Sequence, residues 1–97
     1  SVMLTIDRIK TAASRLADYY PIKKVSLFGS YAEGTADETS DIDLLIEFHA
    51  PSVSLFTLSD IKSAMEDELK KDVDIVHGPV LKESLLKLKK VINLYEQ

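Results

Sequence analysis

The sequence contains no cysteine, which excludes a disulfide framework and a thiolate zinc site and fits a reducing compartment. It has no apolar run long enough to cross a membrane and no visible secretory leader, so no membrane association is expected and the cytoplasm is the default location. Ser1 and Val2 precede Met3, and Ser1 reads as an expression scar. Basic residues are in short supply. Twelve Lys and Arg against 16 Asp and Glu leave a net charge of -4, whereas a domain that grips nucleic-acid phosphates needs a basic face. Direct nucleic-acid binding is therefore not expected, and acidic residues gathered near a metal fit the balance better. Repeats, low-complexity stretches and linkers are absent too, so residues 1–97 are expected to form one domain.

What is present is ordinary for a small globular chain of 97 residues, with 45% hydrophobic and 29% charged positions. A chain this short buries roughly 60 to 65% of its surface, so one modest core is all it builds, and a large substrate must be gripped elsewhere. Ile6, Ile9, Ala13, Leu16 and Tyr20 recur at helical spacing before Pro21. Residues 25–28 read as a short buried strand that stops at Gly29, followed by a helical turn and a small, polar loop up to Ser40. Residues 41–48 read as a second strand, alternating at first and then continuously apolar. Leu55, Leu58, Ile61, Met65 and Leu69 mark a crossover helix, with Ser52 or Ser54 as its cap and Lys70 and Lys71 at its end. Leu55 and Phe56 are assigned to the core. Residues 72–76 form a third strand, and Gly78-Pro79 opens a last helix with Leu81, Leu85 and Leu88 on its apolar face. Residues 91–95 fit either a helical extension or an edge strand, and their β-formers favour the strand. The order predicts an α+β fold, a small mixed sheet flanked by helices.

Three aspartates carry the chemistry. Asp41 and Asp43 stand one residue apart on a strand, so both carboxylates face the same way, roughly 7 Å apart along the chain. Like charges beside an apolar strand repel unless a cation compensates, and a divalent metal supplies that compensation. Asp74, on a strand of matching character, completes a three-carboxylate site. All-oxygen ligands select Mg²⁺ or Mn²⁺, ions that also bind substrate phosphates. Upstream, Gly29 lets backbone approach closely, and the Ser30 hydroxyl with nearby N–H groups suits phosphate.

The ordered set of Leu27-Phe28-Gly29-Ser30-Tyr31-Ala32 and then Ser40-Asp41-Ile42-Asp43-Leu44-Leu45 resembles the signature of the polymerase-β nucleotidyltransferase superfamily, and the small size matches its minimal branch. The resemblance implies the nucleotidyltransferase fold and transfer of a nucleoside monophosphate, AMP from ATP, by in-line attack of a hydroxyl on the α-phosphorus. It implies that Gly29 and Ser30 contact the nucleotide, that Asp41 and Asp43 bind two Mg²⁺ ions, and that Asp74 joins the metal nearest the attacking hydroxyl or takes its proton. Minimal members resemble the antitoxin half of two-gene modules whose other half is a HEPN-type ribonuclease toxin, so a helical HEPN-type partner is the implied acceptor. Neutralisation of a partner by contact alone and modification of a small molecule together with a separate subunit are the alternatives, and a homo-oligomer stays open. One departure is Glu33, where members commonly carry a basic residue; it bears on nucleotide affinity rather than on the metal ligands.

Other polar residues have plainer readings. Asp72 reads as solvated or paired with Lys70 or Lys71. His49 and His77 sit singly at strand ends, without a second histidine at metal spacing. Tyr19 and Tyr20 read as packing residues, with Tyr31 the one placed near the nucleotide. Lys82, Lys87, Lys89 and Lys90 give the last helix a solvated basic face, with an acidic partner protein as the alternative.

Overall fold

Thr5 starts the first helix by accepting the Arg8 N–H at 3.1 Å, and α1 then runs Ile6–Leu16 with Ile9, Ala12, Ala13 and Leu16 buried. The computed structural model describes residues 4–97, so the reading of Ser1 lies outside the described residues. After α1 come β1 (Ile22–Phe28), α2 (Ser30–Glu33), β2 (Ile42–Phe48), α3 (Leu55–Leu69), β3 (Val73–His77), α4 (Lys82–Leu86) and β4 (Ile92–Glu96). The four strands form one sheet in the order β3-β2-β1-β4. β1 is antiparallel to both β2 and β4, while β2 and β3 run parallel, joined by α3 as the crossover helix. The mixed sheet flanked by helices is therefore present, and residues 92–96 take the strand alternative.

The period of two divides β2 between two environments. Ile42, Leu44, Ile46 and Phe48 face α1 and α3 and join Leu27, Val25, Val73, Ile9, Ile61 and Met65 in the core. Asp43, Leu45 and Glu47 face the opposite side, where Leu45 is nonetheless buried beneath the segment around α4. Ser54 is the cap of α3, accepting the Thr57 N–H at 3.1 Å, and Lys70 ends the helix in a left-handed conformation at φ 57°.

Two apolar assignments are corrected. Leu55 and Phe56 occupy the first turn of α3, whose buried residues begin only at Ile61, and are 81% and 84% exposed instead of lying in the core. The last helix is only the five residues of α4; Leu81 is its cap residue and 74% exposed, while Leu85 and Leu88 are half-buried against the sheet. Residues 87–91 must turn to deliver the chain into β4, which stops the helix before a continuous apolar stripe can form.

Candidate active site

β2 is interior to the sheet, and Asp43 near its start is flanked by a residue of each neighbouring strand: Phe28 on β1 and Asp74 on β3. Adjacent strands lie about 4.8 Å apart, so the parallel register that pairs Asp43 with Asp74 sets two carboxylates side by side on the face away from the core. Asp41 precedes the strand by one residue, correcting its expected place within it, and its charge acts on Asp43. The sheet thus sets Asp43 beside Asp74, with Asp41 immediately before the strand that carries Asp43. Burial, then the neighbouring charges of Asp74 and of Asp41, push the Asp43 carboxyl above its ordinary range.

Gly29 closes the near side. Its φ of 73° and ψ of -156° lie where side chains are strained, and a Cβ there would stand 2.1 Å from Asp43 Oδ2. The glycine is what allows the turn between β1 and α2 to rest against the carboxylate. Ser30 begins α2 beside it and is partly exposed, whereas Tyr31 is 6% exposed and packs into the core, so its ring belongs to the fold. Glu33 ends the same short helix.

The loop before Asp41 is organised by Asp37, which sequence reasoning missed. Asp37 Oδ1 accepts the Thr39 N–H at 2.8 Å and its hydroxyl at 2.7 Å, and the Ser40 hydroxyl accepts the Asp37 N–H at 2.9 Å. Those Thr39 bonds, the side-chain bond first, hold the Asp37 carboxyl below its ordinary range. The signal was legible as an acid two and three residues before hydroxyl side chains, the pattern of a local side-chain turn.

A second missed feature secures Asp74. The Ile42 N–H bonds to the Asp72 carbonyl at 3.0 Å, so in a parallel ladder Val73 turns its own polar groups toward the free edge. There the Val73 N–H donates to Glu66 Oε2 at 2.9 Å and its carbonyl accepts from Lys62 Nζ. Lys62 and Glu66 are one turn apart on α3 and paired at 3.3 Å. This pair occupies the edge of β3 where another strand would bond, fixing the residue adjacent to Asp74. The Val73 bond, followed by that from Lys62, keeps the Glu66 carboxyl low.

The remaining polar residues lie outside this cluster. His49 Nε2 pairs with Gln97 Oε1 at 3.0 Å and His77 stands edge-on to Phe48 with ring centres 5.3 Å apart, both at the far ends of β2 and β3. A polar groove of about 460 Å³ opens beside Asp41, bordered by Lys70, Lys71 and Asp72, but of the predicted site residues only Asp41 borders it.

The donor set suits a hard divalent cation: three carboxylates, all oxygen, none in an ion pair among the described residues. Among those residues no three acidic or imidazole groups close on a common point. Of the three, Asp43 is the one whose carboxyl is pushed toward its neutral form, by burial and then by the charges of Asp74 and Asp41.

The nucleotidyltransferase domain model matches residues 6–96. A Methanocaldococcus jannaschii protein, provisionally named a protein adenylyltransferase, is 35% identical over 92 residues, covering 86% of this chain and 93% of its own. The fold is shared with a toxin-antitoxin structure holding AMP-PNP, at a TM-score of 0.75 and 21% identity over 91% of this chain and 73% of that one. It is shared too with a chain of the Shewanella oneidensis complex between a tri-AMPylated HEPN toxin and its MNT antitoxin, at a TM-score of 0.68 and 16% identity over 96% of this chain and 74% of that one. With the matched domain spanning nearly its whole length, this chain belongs to the nucleotidyltransferase domain family.

Proposed function

We propose that this nucleotidyltransferase is a metal-dependent protein adenylyltransferase that moves AMP from ATP onto a hydroxyl of a HEPN-type toxin and so acts as its antitoxin. The observation that carries this reading is the register of Asp43 between Asp74 and the Gly29 turn, which gathers acidic ligands beside a backbone suited to close approach by phosphate. The relative named for protein adenylylation and the solved complex containing an AMPylated toxin support the choice of acceptor.

In this reading Asp41 and Asp43 would hold two Mg²⁺ ions, Mn²⁺ being able to replace them, and Asp74 would serve as the third carboxylate ligand. Bound there, the ions supply charge neutralisation for the triphosphate and a lowered pKa for the attacking hydroxyl. Gly29 and Ser30 seat the phosphates. The acceptor oxygen forms a bond to the α-phosphorus as the bond from that phosphorus to the bridging oxygen breaks; pyrophosphate leaves, and the hydroxyl proton passes to Asp74 or to water. Glu33 favours a second reading, in which contact alone neutralises the partner, since an acid near the phosphate turn weakens nucleotide binding.

Incubation with Mg²⁺ and a lysate of cells encoding the protein separates these readings. The expected result is protein-bound label from ATP labelled at the α-phosphate, none from ATP labelled at the γ-phosphate, and no transfer by Asp43→Ala. Neutralisation of the partner by that variant as fully as by the wild type, with no label in either, would instead establish the contact reading.

A further inference from the structure

The segment 79–91 contains Val80, Leu81, Leu85, Leu86, Leu88 and Val91, yet none of these side chains is buried. Leu81 and Leu86 are 74% and 77% exposed, while Leu85 and Leu88 only half-cover an apolar slot of about 160 Å³ against Phe28, Leu45 and Val76. The slot places this segment. Phe28 is the strand partner of Asp43, Leu45 follows Asp43 by two residues, and Val76 follows Asp74 by two, so α4 lies on the carboxylate face of the sheet. Over residues 81–90 four lysines stand against one glutamate, in a chain whose net charge is -4. Exposed leucines among like charges stay soluble, and a partner that covers both must be apolar at its centre and acidic at its rim.

We infer that segment 79–91 is the docking surface for the acceptor protein, which meets Leu81 and Leu86 with an apolar groove and Lys82, Lys87, Lys89 and Lys90 with carboxylates. The inference rests on the protein-adenylyltransferase reading and adds to it the face by which the acceptor is held. A partner seated there has its edge beside Asp43 and Asp74, so docking brings its hydroxyl to the carboxylate face. Apolar contact gives the residence time, and the lysines speed encounter and make it salt-dependent.

Photo-crosslinking in the same lysate, with α-labelled ATP and Mg²⁺, tests the surface. A benzophenone amino acid replaces Leu86 in one sample and Tyr19 in the other; Tyr19 is 81% exposed but follows α1 on the opposite layer. The expected result is a crosslink from position 86, and not from position 19, to the same band that wild-type protein labels. Leu81→Glu combined with Leu86→Glu should lower labelling at least tenfold while leaving the affinity for Mg-ATP unchanged. A labelled band that crosslinks from position 19 alone or from neither, a nuclease-sensitive crosslink, or one joining two copies of this chain overturns the docking surface and leaves the transfer reading standing. Absence of any labelled band with the wild type removes the transfer reading, and the acceptor surface with it.

Discussion

Asp43→Asn is expected to lower AMP transfer by roughly a thousandfold while raising the melting temperature of the metal-free protein. The two effects share one cause. Asp43 feels both of the other acids, its carboxyl being pushed up by burial and then by the charges of Asp74 and Asp41. On the proposed reading, loss of a carboxylate that would hold both ions would remove several kcal/mol of transition-state stabilisation, and about 4 kcal/mol corresponds to a thousandfold. Without metal the same charge is a burden. A carboxyl with a raised folded-state pKa favours the fold fully below its ordinary value of 3.8, and that contribution is lost as pH rises through the raised value. Asparagine does not ionise, so variant and wild type should melt alike near pH 3 and diverge as pH increases. Solvent screening limits the gain at neutral pH to about 0.5 kcal/mol, a rise of roughly 2–4 °C for a chain of this size. Adding Mg²⁺ with a non-hydrolysable ATP analogue at a hundred times its dissociation constant should stabilise the wild type by about 2.7 kcal/mol and reverse the order. A melting series with and without those ligands between pH 3 and 8 measures each part.

Gly29→Ala is expected to damage both fold and chemistry. The new methyl group would stand 2.1 Å from Asp43 Oδ2 and 3.0 Å from its Cγ, so the carboxylate must swing out of its place. Displacement of about 1 Å at a reacting centre costs on the order of a hundredfold in rate. The backbone at φ 73° and ψ -156° adds about 2 kcal/mol of strain, or roughly 8–16 °C in melting temperature. Gly34→Ala separates the two consequences. Gly34 also has a positive φ, 79°, but nothing lies within 4 Å of a Cβ built there. That variant should lose stability by about 1 kcal/mol and keep its transfer rate. Equal losses of activity in the two variants would show that strain alone, and not the approach to Asp43, is responsible.

The carboxylate cluster was legible because its grammar is local. Asp41 and Asp43 stand two residues apart at the start of β2, and Gly29 breaks a short apolar run where a turn was needed. That Asp74 stands directly beside Asp43 is a fact of parallel register, which spacing could suggest but not fix. Asp37, Lys62 and Glu66 escaped notice because their partners are backbone groups or near neighbours, with no residue-type signature at the far end. Leu55, Phe56 and Leu81 were misplaced for a different reason. Periodicity tells which side of a helix is apolar; it does not tell that the first turn is left uncovered, or that a helix ends after five residues.

Crystals of the protein with Mn²⁺ and a non-hydrolysable ATP analogue, with manganese located by its anomalous scattering, test the three-carboxylate site most directly. The expected result is two peaks about 3.5 to 4 Å apart, both touching Asp41 and Asp43 and one touching Asp74, with the triphosphate against Gly29 and Ser30. Bound nucleotide with manganese elsewhere, or with no manganese at these three carboxylates, would contradict it.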